Sequence, residues 1–243
     1  MKHLKTLISA MVLFCALSCS KDHADCNGQV SFEVESMDVI ADVTKSNVSD
    51  YATLPSSGDF TITITDANSS EVWTGKISEW NAETLLLAGT YTVEAVYGSI
   101  ENEGFGKPYF MGSNTFSIEA EKSTTVSIPV NLGNTVIKFA YSDTFKKYYT
   151  DYSFKLTRGG SEIATFSKAE SRAVFVDGYK IAVEGTLKSE TKTQTFYKEY
   201  TGLDAATAYT LTFDVPNVGG ASLEITFNNS VEEVVLGDIE LNE

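Results

Sequence analysis

Apolar and polar residues alternate with period two along most of this chain, and the alternating runs return in the same order further on. "DFTITIT" (59–65) puts Phe60, Ile62 and Ile64 on one face, and "DYSFKLT" (151–157) does the same with Tyr152, Phe154 and Leu156. "GTYTVEA" (89–95), with Tyr91, Val93 and Ala95, is echoed by "GYKIAVEG" (178–185), with Tyr179, Ile181 and Val183. "TTVSIPV" (124–130) and "YTLTFDV" (209–215) complete the set, Val126, Ile128 and Val130 answering Leu211, Phe213 and Val215. Successive side chains on a strand point to opposite faces, so such runs describe strands with one buried and one wet face.

Three matches in the same order argue for a duplicated unit. The seam falls in "PVNLGN" (129–134), because "TVIKFAY" beyond it parallels "QVSFEVE" after Asn27-Gly28. Turn signals such as Asp66-Ala67-Asn68, Arg158-Gly159-Gly160 and Asp177-Gly178 separate about seven short strands in each unit. The expected fold is all-β: two tandem antiparallel β-sandwich domains of the immunoglobulin-like kind, 27–131 and 132–243, the first strand of each paired by Greek-key closure or else by strand exchange between molecules. Helical spacing is not found outside the N-terminal leader.

The charge balance excludes one class of partner. Thirty-three acids against 18 bases give a net charge of −15, and Arg158 and Arg172 are the only arginines. Nucleic-acid binding relies on clustered Arg and Lys, so it is not expected.

The N-terminus reads as an address. Lys2 and Lys5 precede "TLISAMVLFCALS", about a dozen apolar residues, too short for a spanning helix of ~20. Leu17 and Ser18 before Cys19 resemble the lipobox of bacterial lipoproteins, with Ala16 where leucine is usual. The expectation is a signal peptide over 1–18, acylation of Cys19 by chains such as palmitate, and a tether over 19–26. Ser20, Lys21 and Asp22 resemble the short tract that sends Bacteroidetes lipoproteins to the outer face of the outer membrane. No other stretch reaches ~18 uninterrupted apolar residues, so the mature chain is expected to be anchored and not to span.

Cleavage before Cys19 leaves His23 as the sole histidine, within the tether. Triad chemistry and tetrahedral metal sites need histidine or several thiols on a rigid body, so neither catalysis, metal nor cofactor is expected. Cys26 loses any intrachain partner and is expected to be a buried thiol. Carboxylate pairs could still serve a glycosidase. Acids at alternate positions, as in Phe32-Glu33-Val34-Glu35 and Val93-Glu94-Ala95, read instead as a solvated face.

Four segments are candidates for recognition. "GSIENEGFGKPYFMGSN" (98–114) is the longest break in the strand pattern and carries Phe105, Tyr109 and Phe110. Such aromatics either meet a ligand or plug the end of a core. Trp73 and Trp80 pose the same choice. Asp66, Asn68 and Ser70 imitate a calcium loop, but Glu71 and Ile77 stand where that loop needs glycine and glutamate, so a hairpin turn is expected. In "VEEVVLGDIELNE" (231–243), Val234, Leu236, Ile239 and Leu241 describe a closing strand, or one donated to a neighbouring molecule.

With "LLLAGTYTVEAVYG" and "KPYFMGSNTFSI", the chain resembles a domain-of-unknown-function family of Bacteroidetes surface lipoproteins, and more broadly the fimbrillin-like adhesins. That resemblance implies two transthyretin-like sandwiches, transport as a lipoprotein and, in stalk subunits, an arginine-directed cleavage that frees a groove for a donated strand. No arginine precedes Arg158, and Lys45 is the nearest basic substitute. The expected role is therefore a cap, tip, anchor or stand-alone adhesin, with surface or fimbrial proteins, or host or glycan ligands, as partners. A glycan-binding accessory lipoprotein of a polysaccharide-uptake system is the alternative.

Overall fold

The computed structural model describes residues 26–40, 46–215, 222–227 and 230–235. The first stretch of chain forms β1 (Asn27–Glu35), β2 (Thr61–Asp66), β3 (Glu71–Lys76), β4 (Leu85–Leu87), β5 (Gly89–Tyr97), β6 (Gly104–Phe105), β7 (Phe110–Ile118) and β8 (Ser123–Leu132). There follow β9 (Thr135–Tyr141), a single helical turn and a half, α1 (Asp143–Tyr148), then β10 (Asp151–Arg158), β11 (Ser161–Ser167), β12 (Val174–Val176), β13 (Lys180–Lys188), β14 (Thr193–Thr201), β15 (Ala208–Asp214), β16 (Ser222–Phe227) and β17 (Ser230–Val235). The protein is all-β, with one six-residue α-helix and three single-turn 3-10 helices (Val48–Asp50, Ser57–Asp59 and Ile77–Glu79) among the described residues.

The strand pairings occur twice. β2 pairs with β3 and β5, β5 with β7, and β1 with β4 and β8. In the same order β10 pairs with β11 and β13, β13 with β14, and β9 with β12 and β15. The alternating runs are therefore strands at matching places, and Phe60, Ile62, Ile64, Phe154 and Leu156 are all fully buried. The sheets are mixed, however, and not antiparallel throughout. β1 runs parallel to β8 and β9 parallel to β15, and each of these first strands is flanked on both sides in its sheet. A period-two pattern says which face is buried and nothing about the direction of the neighbour.

A corner joins two layers in the first half. β8 pairs with β1 up to Pro129 and with β7 from Val130, so one strand serves both layers. At Gly112, opposite this handover, a Cβ would lie 2.0 Å from the Pro129 carbonyl oxygen. Only glycine lets the two backbones close there. In the second half the layers stay separate, as the four-stranded sheet β11-β10-β13-β14 and the six-stranded sheet β17-β16-β15-β9-β12-β6.

Two apolar cores result, and they share a wall. Val174 and Val176 of β12, with Ile137 of β9, belong to the second core, whereas Phe175 and Val136 belong to the first. β12 is buried on both faces. Its outer edge is covered by β6, delivered from the 98–109 loop of the first half. Phe105 meets Phe166 edge to face at 5.2 Å, and the Arg172 guanidinium lies 4.5 Å from the centre of the Phe105 ring. Glu103 accepts from Arg158 (2.9 and 3.0 Å) and from the Asp177 amide (2.7 Å), while Arg158 also pairs with Asp177 at 2.9 Å. Both arginines of the chain thus hold this strap.

Several expectations are corrected. Tyr179 does not answer Tyr91: it is 80% exposed and precedes β13, whose inward row begins at Ile181. Phe110 to Asn114 belong to β7 and not to the loop. Cys26 is exposed, because it sits at the open end of β1. Helix α1 follows from Ser142, whose hydroxyl accepts the Phe145 amide at 3.0 Å, and from Phe145, which is wholly buried.

Phe154 sits in a nest of rings with Phe139, Tyr141 and Phe213, at 4.4 Å from the last. Phe154→Ala is expected to cost about 3–5 kcal/mol of unfolding free energy, read from denaturant midpoints.

Candidate functional site

The five aromatic candidates do not share a surface. Trp73 on β3 and Trp80 beyond it are half-buried against the first core and meet edge to face at 5.1 Å, 73° between planes. Trp80 also donates its indole N–H to the Val30 carbonyl at 2.8 Å and meets Phe32 at 5.5 Å. This pair closes the side of a core and presents no flat platform. Tyr109 directs its hydroxyl to Met111 Sδ at 3.6 Å. Phe110 is fully buried, and Phe105 is committed to the strap.

Asp66 is occupied by its own turn: Oδ1 accepts the amides of Asn68 (2.8 Å) and Ser70 (2.9 Å). These bonds, Ser70's first, hold its carboxyl below the usual carboxylate range. The segment behaves as a hairpin turn. Among the described residues no group of three His, Cys, Asp or Glu side chains is arranged to hold a metal ion, and no helix is long and apolar enough to cross a membrane.

Strand edges are a stronger candidate. β4 and β12 occupy the same place in the two pairing patterns, yet the outer edge of β12 carries β6 and that of β4 carries no strand among the described residues. Leu86 of β4 points into the core, while Leu85 and Leu87 are 59% and 58% exposed. Cys26 lies alongside, its carbonyl accepting the Ala88 amide at 2.6 Å. In the sequence these leucines figure only within the string "LLLAGTYTVEAVYG". Hydropathy alone does not tell whether a neighbour covers an edge.

At the other end of the chain, β17 pairs with β16 and β16 with β15 of the same molecule, Val234 standing opposite Leu223. Leu236, Ile239 and Leu241 lie outside the described residues, as do Cys19, Ser20, Lys21, Asp22, His23 and Lys45.

The strap has an electrostatic outer layer. Glu170 accepts from the Arg172 guanidinium at 2.6 and 3.0 Å and from the Arg172 and Ser171 amides. The Arg172 side-chain bond above all holds its carboxyl at about 2, against a usual value near 4.5. A depressed carboxyl contributes stability that is complete above the unfolded value and disappears as pH falls through the folded one. Between pH ~4.5 and ~2 the parent should therefore lose more stability than Glu170→Gln, measured by urea unfolding at each pH.

Residues 27–243 match the family described as a domain of unknown function, DUF4493. The chain belongs to that family. This agrees with the resemblance carried by "LLLAGTYTVEAVYG" and "KPYFMGSNTFSI". No curated protein matches it in sequence. Solved structures that resemble it include a provisionally named cell adhesion protein from Bacteroides eggerthii (10% identity, TM-score 0.46, 87% of this chain and 96% of that one). Another is a fimbrial assembly protein from Parabacteroides distasonis (9%, TM-score 0.44, 72% and 90%). A third is a provisionally named polysaccharide binding protein from Bacteroides thetaiotaomicron (9%, TM-score 0.45, 86% and 98%).

Proposed function

We propose that this DUF4493 chain is a non-enzymatic lipoprotein of two tandem sandwiches, acylated at Cys19, displayed on the outer membrane and acting in cell adhesion or fimbria-like assembly. The signal-like leader, Leu17-Ser18-Cys19 and the Ser20-Lys21-Asp22 tract support the anchor and its display. The observation that carries the assembly role is the unmatched edge of β4. The fold already adds an extended segment to an edge once, at β12, and the equivalent edge beside exposed Leu85 and Leu87 carries no strand among the described residues, the Tyr91 hydroxyl occupying the Leu87 carbonyl at 2.9 Å. An extended segment of another surface protein would extend the sheet there by main-chain hydrogen bonds, its side chains covering the two leucines.

Two measurements test this reading. Cys19→Ala should release the protein from the membrane fraction, and protease added to intact cells should cleave the parent. Retention of the variant would remove the anchor, and protection of the parent would remove display. Replacing Leu85 and Leu87 together by lysine should abolish cross-linked surface complexes while leaving the unfolding midpoint nearly unchanged, since both side chains are exposed. Complexes that persist in that variant would exclude the β4 edge. The glycan-binding alternative draws support from a different place, a concavity on the second half of the chain.

A further inference from the structure

The second half of the chain ends in a surface concavity of about 430 Å³ formed by α1 and by the turn between β13 and β14. Thr144, Lys147 and Tyr148 line it from the helix, and Ser189, Glu190 and Thr191 from the turn. The local fold explains this set. Phe145 is buried in the second core, so positions 144, 147 and 148, spaced i, i+3 and i+4, share a face of α1 that turns outward. Across from it, the Ser189 amide donates to the Lys192 carbonyl at 2.9 Å and the Lys192 amide to Ser189 Oγ at 3.2 Å. That closure leaves Glu190 and Thr191 as the two tip residues. Both walls are short, tightly bonded elements on a rigid sandwich.

Part of this lining already serves the fold, Thr144 bonding the Asp214 carboxylate and Ser189 Oγ its own turn, which leaves Lys147, Glu190 and Thr191 as the polar groups that face solvent. Lys147 and Glu190 line one concavity without forming an ion pair, and both are exposed. Tyr148 is half-exposed, its ring meeting Tyr149 edge to face at 4.9 Å, which leaves a ring face for another contact. The charge of the chain is also uneven. Residues 26–134 carry 15 acids against four bases, whereas 135–215 carry ten acids against 11 bases. At this end Lys146, Lys147, Lys188 and Lys192 are interleaved with Asp143, Asp151, Glu190 and Asp214, so it is balanced in charge where the first half is acidic.

The placement is consistent with recognition. β1 starts beside Cys26 and runs parallel to β8, whose end leads through Gly133 and Asn134 into β9. α1 follows the far end of β9, and the 189–192 turn the far end of β13. The concavity and the start of β1 thus lie at opposite ends of the strand path.

We infer that this concavity binds a carboxylated sugar unit of a glycan. The Lys147 ammonium takes the sugar carboxylate, Glu190 and the Thr191 hydroxyl take the ring hydroxyls, and the Tyr148 ring takes the apolar C–H face. The volume suits a disaccharide-sized group. This deepens the adhesion reading by naming a ligand class, and it rests on that reading only for the claim that the site faces outward.

The test is calorimetric titration of the purified full chain in detergent with digalacturonate, a uronic-acid disaccharide, and with neutral digalactose. Digalacturonate should bind at least about ten-fold more tightly, with affinity falling as salt is raised. Lys147→Gln should erase the difference between the two sugars, Tyr148→Ala should weaken both at least about ten-fold, and Tyr148→Phe should retain binding. Lys147 is exposed and Tyr148 packs only in part against the second core, so circular dichroism checks that each of the three variants is folded. Equal affinity for the two sugars, digalacturonate binding unchanged in Lys147→Gln, or no saturable binding of digalacturonate by about 10 mM overturns the inference. Because this is read on purified protein, it fails or holds independently of the cell-based display measurements.

Discussion

Phe175 packs into one core while Val174 and Val176, its neighbours on β12, pack into the other. That division of three consecutive side chains is the constraint on which the rest of the arrangement depends. A strand buried on both faces must have its edges paired as well, because unpaired main-chain groups in an apolar setting cost about 1–3 kcal/mol each. β9 satisfies one edge and β6 the other. The wall therefore dictates that the 98–109 loop be long enough to reach across, and it fixes the two halves relative to each other through a shared layer.

Which residues form strands was legible in the sequence, and so was the duplication, because most strands bury one face and wet the other. Phe60-Thr61-Ile62-Thr63-Ile64 states its burial in its own alternation. "TVIKFAY" reads as a strand, but the wall was not legible, since "AVFV" (173–176) does not alternate and a run without a period could equally be a strand or part of a buried helix. α1 escaped because six residues are too few to show a helical period; its signal was the Ser142 cap ahead of Asp143, with Lys146 and Lys147 in the last turn. Of the candidate site, the loop carrying Phe105 was visible as a break in pattern. Its destination on the second core was not, because contacts between distant segments leave no local trace.

The two halves show how one pairing scheme accepts different edges. The first half bends a single seven-stranded sheet at Gly112 and Pro129, while the second keeps two sheets and adds β6 at one side and the β16–β17 hairpin at the other. Additions at edges leave the buried faces intact, so they alter surface without altering core. The candidate surfaces, the β4 edge and the α1 concavity, lie at just such peripheral places.

The parallel pairing of β1 with β8 also has a mechanical side. A pull entering at Cys26 and leaving through Gly133 acts along the strands, at the start of one and the end of the other. The pairs from Gln29 with Ser123 to Glu35 with Pro129 are then loaded in shear and must yield together, not one by one as in an unzipped hairpin. A chain held at its first strand and gripped at its far end would meet tension in the direction where its ladder is most resistant.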